Sequence, residues 1–243
     1  MIDHLNGTAF WLRSCIVASL AICIPAGAST ITASGAGGLT GTAQDLTGVT
    51  PTEILGSIPV TADPVAGVNV FKISVYNYQQ FSAIAQPVAS GIPDTELFLF
   101  DSSGHGVLFN DDISGANTLS CLPSADSGVN PCVSALPGGI GPTSNGVYYL
   151  AITRSANSPQ DGTSTNIFTN LLSTDVVGPD PGTGPLAGWD GGYFTQSDTS
   201  LVNYDILLTG TTPSVPTPEP ATWTMIALSS VGFALSRAGR LRK

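Results

Sequence analysis

Apolar residues at every second position recur along this chain with no amphipathic helix between them. In residues 68–76, Phe71, Ile73 and Val75 alternate with Lys72 and Ser74. In 146–154, Tyr148, Leu150 and Ile152 share one face while Val147, Tyr149 and Ala151 share the other. In 204–209, Tyr204, Ile206 and Leu208 alternate around Asp205. A period of two marks a half-buried strand. Leu97-Phe98-Leu99-Phe100 is instead a continuous apolar run, which suits a strand covered on both faces. Asp101-Ser102-Ser103-Gly104 then reads as a turn, its glycine free to take a positive φ, with 107–109 returning antiparallel. Residues 81–85 offer a further strand, and 166–172 are the one plausible helical turn. With 28 Gly, 18 Pro and 10% charged residues, the composition is rich in turns and strands. The expected fold is all-β, an antiparallel β-sandwich.

The two ends differ from the middle. Residues 1–28 have the build of a secretory signal peptide: Arg13, then the largely apolar eleven-residue stretch 14–24, then small residues at Ala26 and Ala28, with cleavage after Ala28. Eleven residues are too few to span a bilayer. Leu20-Ala21-Ile22-Cys23 departs from a lipoprotein signal because Ile22 is bulky. Residues 29–66 read as a leader and first irregular strands, 67–210 as the β-sandwich, and 211–217 as an extended Pro/Thr linker.

Residues 218–243 fall into three zones. Pro218-Glu219-Pro220 is extended and lacks two backbone donors. The sixteen uncharged residues 221–236 reach about 24 Å as a helix, a little short of a hydrocarbon core of about 30 Å. Arg237, Arg240, Arg242 and Lys243 form a basic stop that stays on the cytoplasmic side. Four cations in the last seven residues are a poor end for a buried core helix, which leaves a permanent anchor or a sorting helix. The succession of Pro218-Glu219-Pro220, Ala221-Thr222-Trp223, a short apolar span and an Arg-rich end resembles the PEP-CTERM sorting signal of exosortase substrates. That resemblance implies export through the Sec machinery and signal peptidase, and transient residence in the inner membrane of a Gram-negative bacterium. It also implies recognition of the Pro-Glu-Pro motif by exosortase, and a mature form at the cell surface or in the extracellular matrix, associated with exopolysaccharide and biofilm.

A second resemblance covers residues 68–154. Asp94-Thr95-Glu96-Leu97-Phe98-Leu99-Phe100-Asp101, then Asn110-Asp111-Asp112, then Gly146-Val147-Tyr148-Tyr149-Leu150, are similar to the bacterial pre-peptidase C-terminal domain. This implies a jelly-roll-like sandwich, an accessory of secreted enzymes and surface proteins. The long irregular stretch 114–145 departs from the compact form of that family.

Between residues 29 and 220, two cations, Lys72 and Arg154, face sixteen acids, a balance of −14. Such a domain repels nucleic acid and anionic lipid. Cys15 and Cys23 leave with the signal, so Cys121 and Cys132 remain as an even pair, expected to form one disulfide across the long loop. Two thiols with no nearby His make a poor metal site.

Asp94, Asp101, Asp111 and Asp112 lie at strand ends that a hairpin brings together, a candidate Ca²⁺ set. The D-x-[DN]-x-[DN]-G pattern is absent, and acids at turns often bond their own backbone. His105, the one His outside the signal, sits between two glycines without a fixed orienting group. Asp111-Asp112 are adjacent, and adjacent strand residues point to opposite faces, which disfavours a glycosidase pair. No catalytic residues are therefore assigned, and no enzyme is expected. Tyr148, Tyr149, Trp189, Tyr193 and Phe194 serve either as a sugar-stacking surface or as core anchors. The leading expectation is an exported, exosortase-processed surface or matrix protein. The alternative is a secreted carbohydrate- or Ca²⁺-binding accessory β-sandwich module.

Overall fold

A computed structural model describes residues 29–59, 63–89, 94–132, 134–169, 174–191 and 202–213. The expected signal peptide, the sorting tail with Pro218, Glu219, Pro220 and its basic residues, and most of the 211–217 linker lie outside the described residues. Among the described residues, no helix is long and apolar enough to cross a membrane.

Twelve strands are described: β1 (Ser29–Thr32), β2 (Gln44–Asp45), β3 (Pro51–Ile58), β4 (Val68–Val75), β5 (Ser82–Gln86), β6 (Thr95–Asp101), β7 (Gly106–Asn110), β8 (Cys121–Leu122), β9 (Gly146–Arg154), β10 (Pro159–Asp161), β11 (Leu186–Trp189) and β12 (Val202–Thr209). They form two five-stranded sheets, ordered β1-β3-β12-β5-β8 and β2-β4-β9-β6-β7, and a two-stranded ribbon, β10-β11. The all-β expectation holds. The purely antiparallel one does not: β1 runs parallel to β3 and β2 parallel to β4, so each sheet is mixed.

Both parallel strands come from the segment expected to hold a leader and first irregular strands. Residues 29–58 thus contribute to both sheets, and the sandwich begins at β1. Pro51 fits β3 because it is the strand's first residue, where its missing N–H costs no interior ladder bond.

The first core lies between the sheets. Ile54 and Ile58 from β3, Phe71, Ile73 and Val75 from β4, and Tyr204, Ile206 and Leu208 from β12 are all buried there. The alternation seen in the sequence is this inward face. Tyr204 also needs a gap opposite it: a Cβ at Gly56 would lie 2.2 Å from its hydroxyl oxygen. Asn69 Nδ2 donates to that hydroxyl at 2.8 Å and to the Ser57 carbonyl at 3.0 Å. The buried phenol is therefore satisfied, as buried polar groups must be.

A second core covers the outer face of the β2-β4-β9-β6-β7 sheet. Val70, Phe98, Phe100, Phe109, Ile167, Phe168, Leu186 and Trp189 pack there. Phe98 lies 4.6 Å from Phe109 and 5.4 Å from Trp189, centroid to centroid, the latter edge-on. These separations fall in the favourable range for aromatic pairs. This layer explains why the Leu97–Phe100 run carries no polar alternation: Leu97 and Leu99 face the first core, Phe98 and Phe100 the second.

This layer contains β11, within a stretch rich in Gly, Pro and Asp, and Asn166 bridges Gln160 where a helical turn was expected. Ile167 and Phe168 enter the core directly, and burying two large side chains outweighs a weak helical preference.

Candidate metal centre

Three of the four predicted carboxylates meet at one end of β6. Glu96 shares the face of Phe98 and Phe100, because side chains two apart on a strand point the same way, and Asp94 immediately precedes the strand. β7 pairs antiparallel with β6 through Leu97↔Asn110. Continuing that register places Asp111 opposite Glu96. Asp112 follows beyond the end of β7, where the pleat no longer separates neighbours, so the expected opposition of Asp111 and Asp112 is not kept. One carboxylate oxygen each from Asp94, Asp111 and Asp112 lies within 4.8 Å of the others. Asp94 is exposed, Asp112 half-buried, and Asp111 only 2% exposed.

Asp101 is not part of this group, which corrects the four-residue set. It stands at the far end of β6, about 23 Å away at strand rise. Its Oδ1 accepts from the Ser103 N–H at 2.8 Å and the His105 N–H at 3.0 Å, capping its own turn. His105 Nδ1 lies 3.7 Å from Asp101 Oδ2, with both side chains about half exposed.

The electrostatics of the cluster are those of crowded anions. Burial, then Asp112 and Asp94, push the Asp111 carboxyl up to about 7 from an ordinary 3.8. Burial, then Asp112, raise Asp94, and Arg154 and Ser155 pull it partly back. Burial raises Asp112. Asp111 Oδ1 and Asp112 Oδ1 are buried without a hydrogen-bond partner. A buried acceptor left unmade costs roughly 1–3 kcal/mol, more when charged, so two of them in one place are a large departure from normal satisfaction.

Glu96 is the member that sequence reading missed. It is fully buried. Its Oε1 accepts from the Ala156 N–H at 2.9 Å and its Oε2 from the Asn157 N–H at 3.3 Å. Burial, then Asp111, raise its carboxyl well above the usual range. Glu96 thereby holds the turn that follows β9, in which Ala156 takes a positive φ of 66°. The signal available was an acid immediately before a run read as covered on both faces.

A second hub fixes the Asp111-Asp112 corner from below. Asn110 is buried, and its Oδ1 accepts from the Cys121 N–H at 2.8 Å. Its Nδ2 donates to the Asp112 carbonyl at 3.1 Å and the Asp175 carbonyl at 3.2 Å. Cys121 in turn forms the expected disulfide with Cys132, Cα–Cα 5.7 Å. The corner is tied to the cross-linked loop through one amide.

The candidate aromatic surface is not assembled from its described members. Tyr148 faces the first core and its hydroxyl donates to the Ser144 carbonyl at 2.8 Å. Trp189 lies in the second core, its Nε1–H donating to the Gly38 carbonyl at 2.6 Å. They sit on opposite faces of one sheet, and Tyr149 packs at the margin of the second core. Tyr193 and Phe194 lie outside the described residues. Set against known proteins, the chain matches no family model, no curated protein and no solved structure.

Proposed function

We propose that this chain is an exported, non-enzymatic β-sandwich of the cell surface or extracellular matrix, sorted by its C-terminal tail and associated with exopolysaccharide. The observation that carries the reading is the Cys121–Cys132 disulfide. A disulfide persists outside the reducing cytosol, which agrees with the signal-like residues 1–28 and the Pro-Glu-Pro tail at the two ends. The acidic middle, −14 between residues 29 and 220, suits a soluble surface domain and repels nucleic acid. In this reading exosortase takes Pro218-Glu219-Pro220 as an extended segment, and Arg237, Arg240, Arg242 and Lys243 hold the 221–236 span in place until it acts.

The sandwich is, on this reading, a jelly-roll-like module similar to the pre-peptidase C-terminal domain. Two of the acids have structural roles: Asp101 caps its turn, and Glu96 holds the residues after β9. Mass spectrometry of the protein recovered from its host outside the cytoplasm tests the proposal. The expected form begins at Ser29, ends before residue 221 and has both cysteines oxidised. A polypeptide still ending at Lys243, or free thiols at 121 and 132, overturns it.

A further inference from the structure

We infer that Asp94, Asp111 and Asp112 form a binding site for Ca²⁺, held in shape by the Asn110 hub and the disulfide behind it. The inference goes beyond the proposed export and does not depend on how the tail is processed. Crowded acids alone would not support it, since acidic surface groups are common. The second observation is Asp111, 2% exposed, whose Oδ1 is buried and bonded to nothing, beside the equally orphaned Oδ1 of Asp112. A fold that buries two carboxylate oxygens against a third carboxylate, with Glu96 opposite, crowds four acids together, and Arg154 and the Ser155 hydroxyl offset that repulsion only in part. A divalent cation removes that repulsion and supplies the partner that both oxygens lack.

The dimensions and chemistry select the ion. At Ca–O distances of roughly 2.4 Å, ligands across the ion stand roughly 4.8 Å apart. Oxygens that all lie within 4.8 Å of one another therefore fit on a single coordination sphere. The donors are oxygens only, with no His or Cys in the group, which excludes a zinc-type set. Three carboxylates of unequal burial, with water completing the sphere on the exposed Asp94 side, suit the irregular geometry of Ca²⁺ better than the strict octahedron of Mg²⁺. Asn110 ties the site to the neighbouring strand: one amide joins the carbonyl of ligand Asp112 to the backbone of Cys121.

The test is calorimetric titration of the full-length chain, purified in detergent and stripped with a chelating resin, with CaCl₂ and separately MgCl₂. Saturable binding of one Ca²⁺ is expected, in the range of about 10⁻⁴ to 10⁻³ M found for extracellular modules. Asp111→Asn and Asp112→Asn should each weaken it at least about tenfold, while Asp101→Asn leaves it unchanged. Thermal unfolding in chelator checks that each variant is folded, and Asp112→Asn serves if Asp111→Asn is not. A lack of saturable heat up to roughly 10 mM Ca²⁺ overturns the inference. So does binding that survives both asparagine variants, or that falls equally in Asp101→Asn. Mg²⁺ binding as tight as Ca²⁺ overturns the choice of ion.

Discussion

Replacing Asp111 by asparagine in the metal-free protein is expected to stabilise the fold at neutral pH and above. Asp111 is pushed up to about 7 from 3.8, by burial first and then by Asp112 and Asp94. The folded state therefore keeps a proton over a range in which the unfolded chain has released it. By linkage, stability is highest when both states are protonated and falls as pH rises from about 4 to about 7. At roughly 1.4 kcal/mol per unit, the full displacement amounts to about 4 kcal/mol above that window. Water reaching the cluster from the exposed Asp94 side screens it, and halving leaves about 2 kcal/mol.

The amide keeps the shape of the side chain and carries no charge, so Asp111→Asn should gain about 2 kcal/mol at about pH 8. The gain should be less than half of that near pH 5 and vanish near pH 3. For a domain of this size 2 kcal/mol corresponds to a rise in Tm of about 4–8 °C. Thermal and urea unfolding followed by circular dichroism in EDTA, at the three pH values, measures it. A variant less stable than the parent at the highest pH, or a gain that does not vary with pH, would refute the reasoning.

Three further outcomes are expected. Replacing Cys121 and Cys132 by Ala removes a cross-link between residues 11 apart and should lower stability by about 3 kcal/mol on the chain-entropy account; urea midpoints under oxidising conditions measure this. Phe98→Ala empties the centre of the second core, where Phe98 touches Phe109, Phe168, Phe100 and Trp189, and should cost about 3–5 kcal/mol by equilibrium unfolding. Gly56→Ala places a methyl against the Tyr204 hydroxyl and should cost about 1–3 kcal/mol; the companion Tyr204→Phe, which vacates that hydroxyl, should relieve most of the clash in the double variant.

What could be read in advance was local periodicity. β4, β9 and β12 announce themselves because each keeps one face on the first core, and the Leu97–Phe100 run announces a strand with cover on both sides. The disulfide followed from counting. What could not be read depends on partners distant in the chain. β1 and β2 are short, lie among Gly, Ala and Thr, and become strands only by parallel pairing with β3 and β4. The second core draws on residues 167–189, whose Gly, Pro and Asp content looks like loop. At the metal centre, Asp94, Asp111 and Asp112 were legible as strand-end acids. Asp101 looked equivalent in sequence but lies one strand length away. The importance of Glu96 arises only from a register that sets it against Asp111.

The position of β12 has a mechanical consequence. It is the last strand before the tail, yet it lies inside its sheet, antiparallel to β3 on one edge and β5 on the other. Thr211 just beyond it donates to the Pro51 carbonyl at 2.6 Å, fastening the exit to the start of β3. Antiparallel hydrogen bonds run perpendicular to the strands. Tension applied along β12 from its C-terminal end therefore loads both ladders together, in shear, and does not unzip them one rung at a time. A domain tethered on that side would be held by both ladders at once, across the middle of its five-stranded sheet.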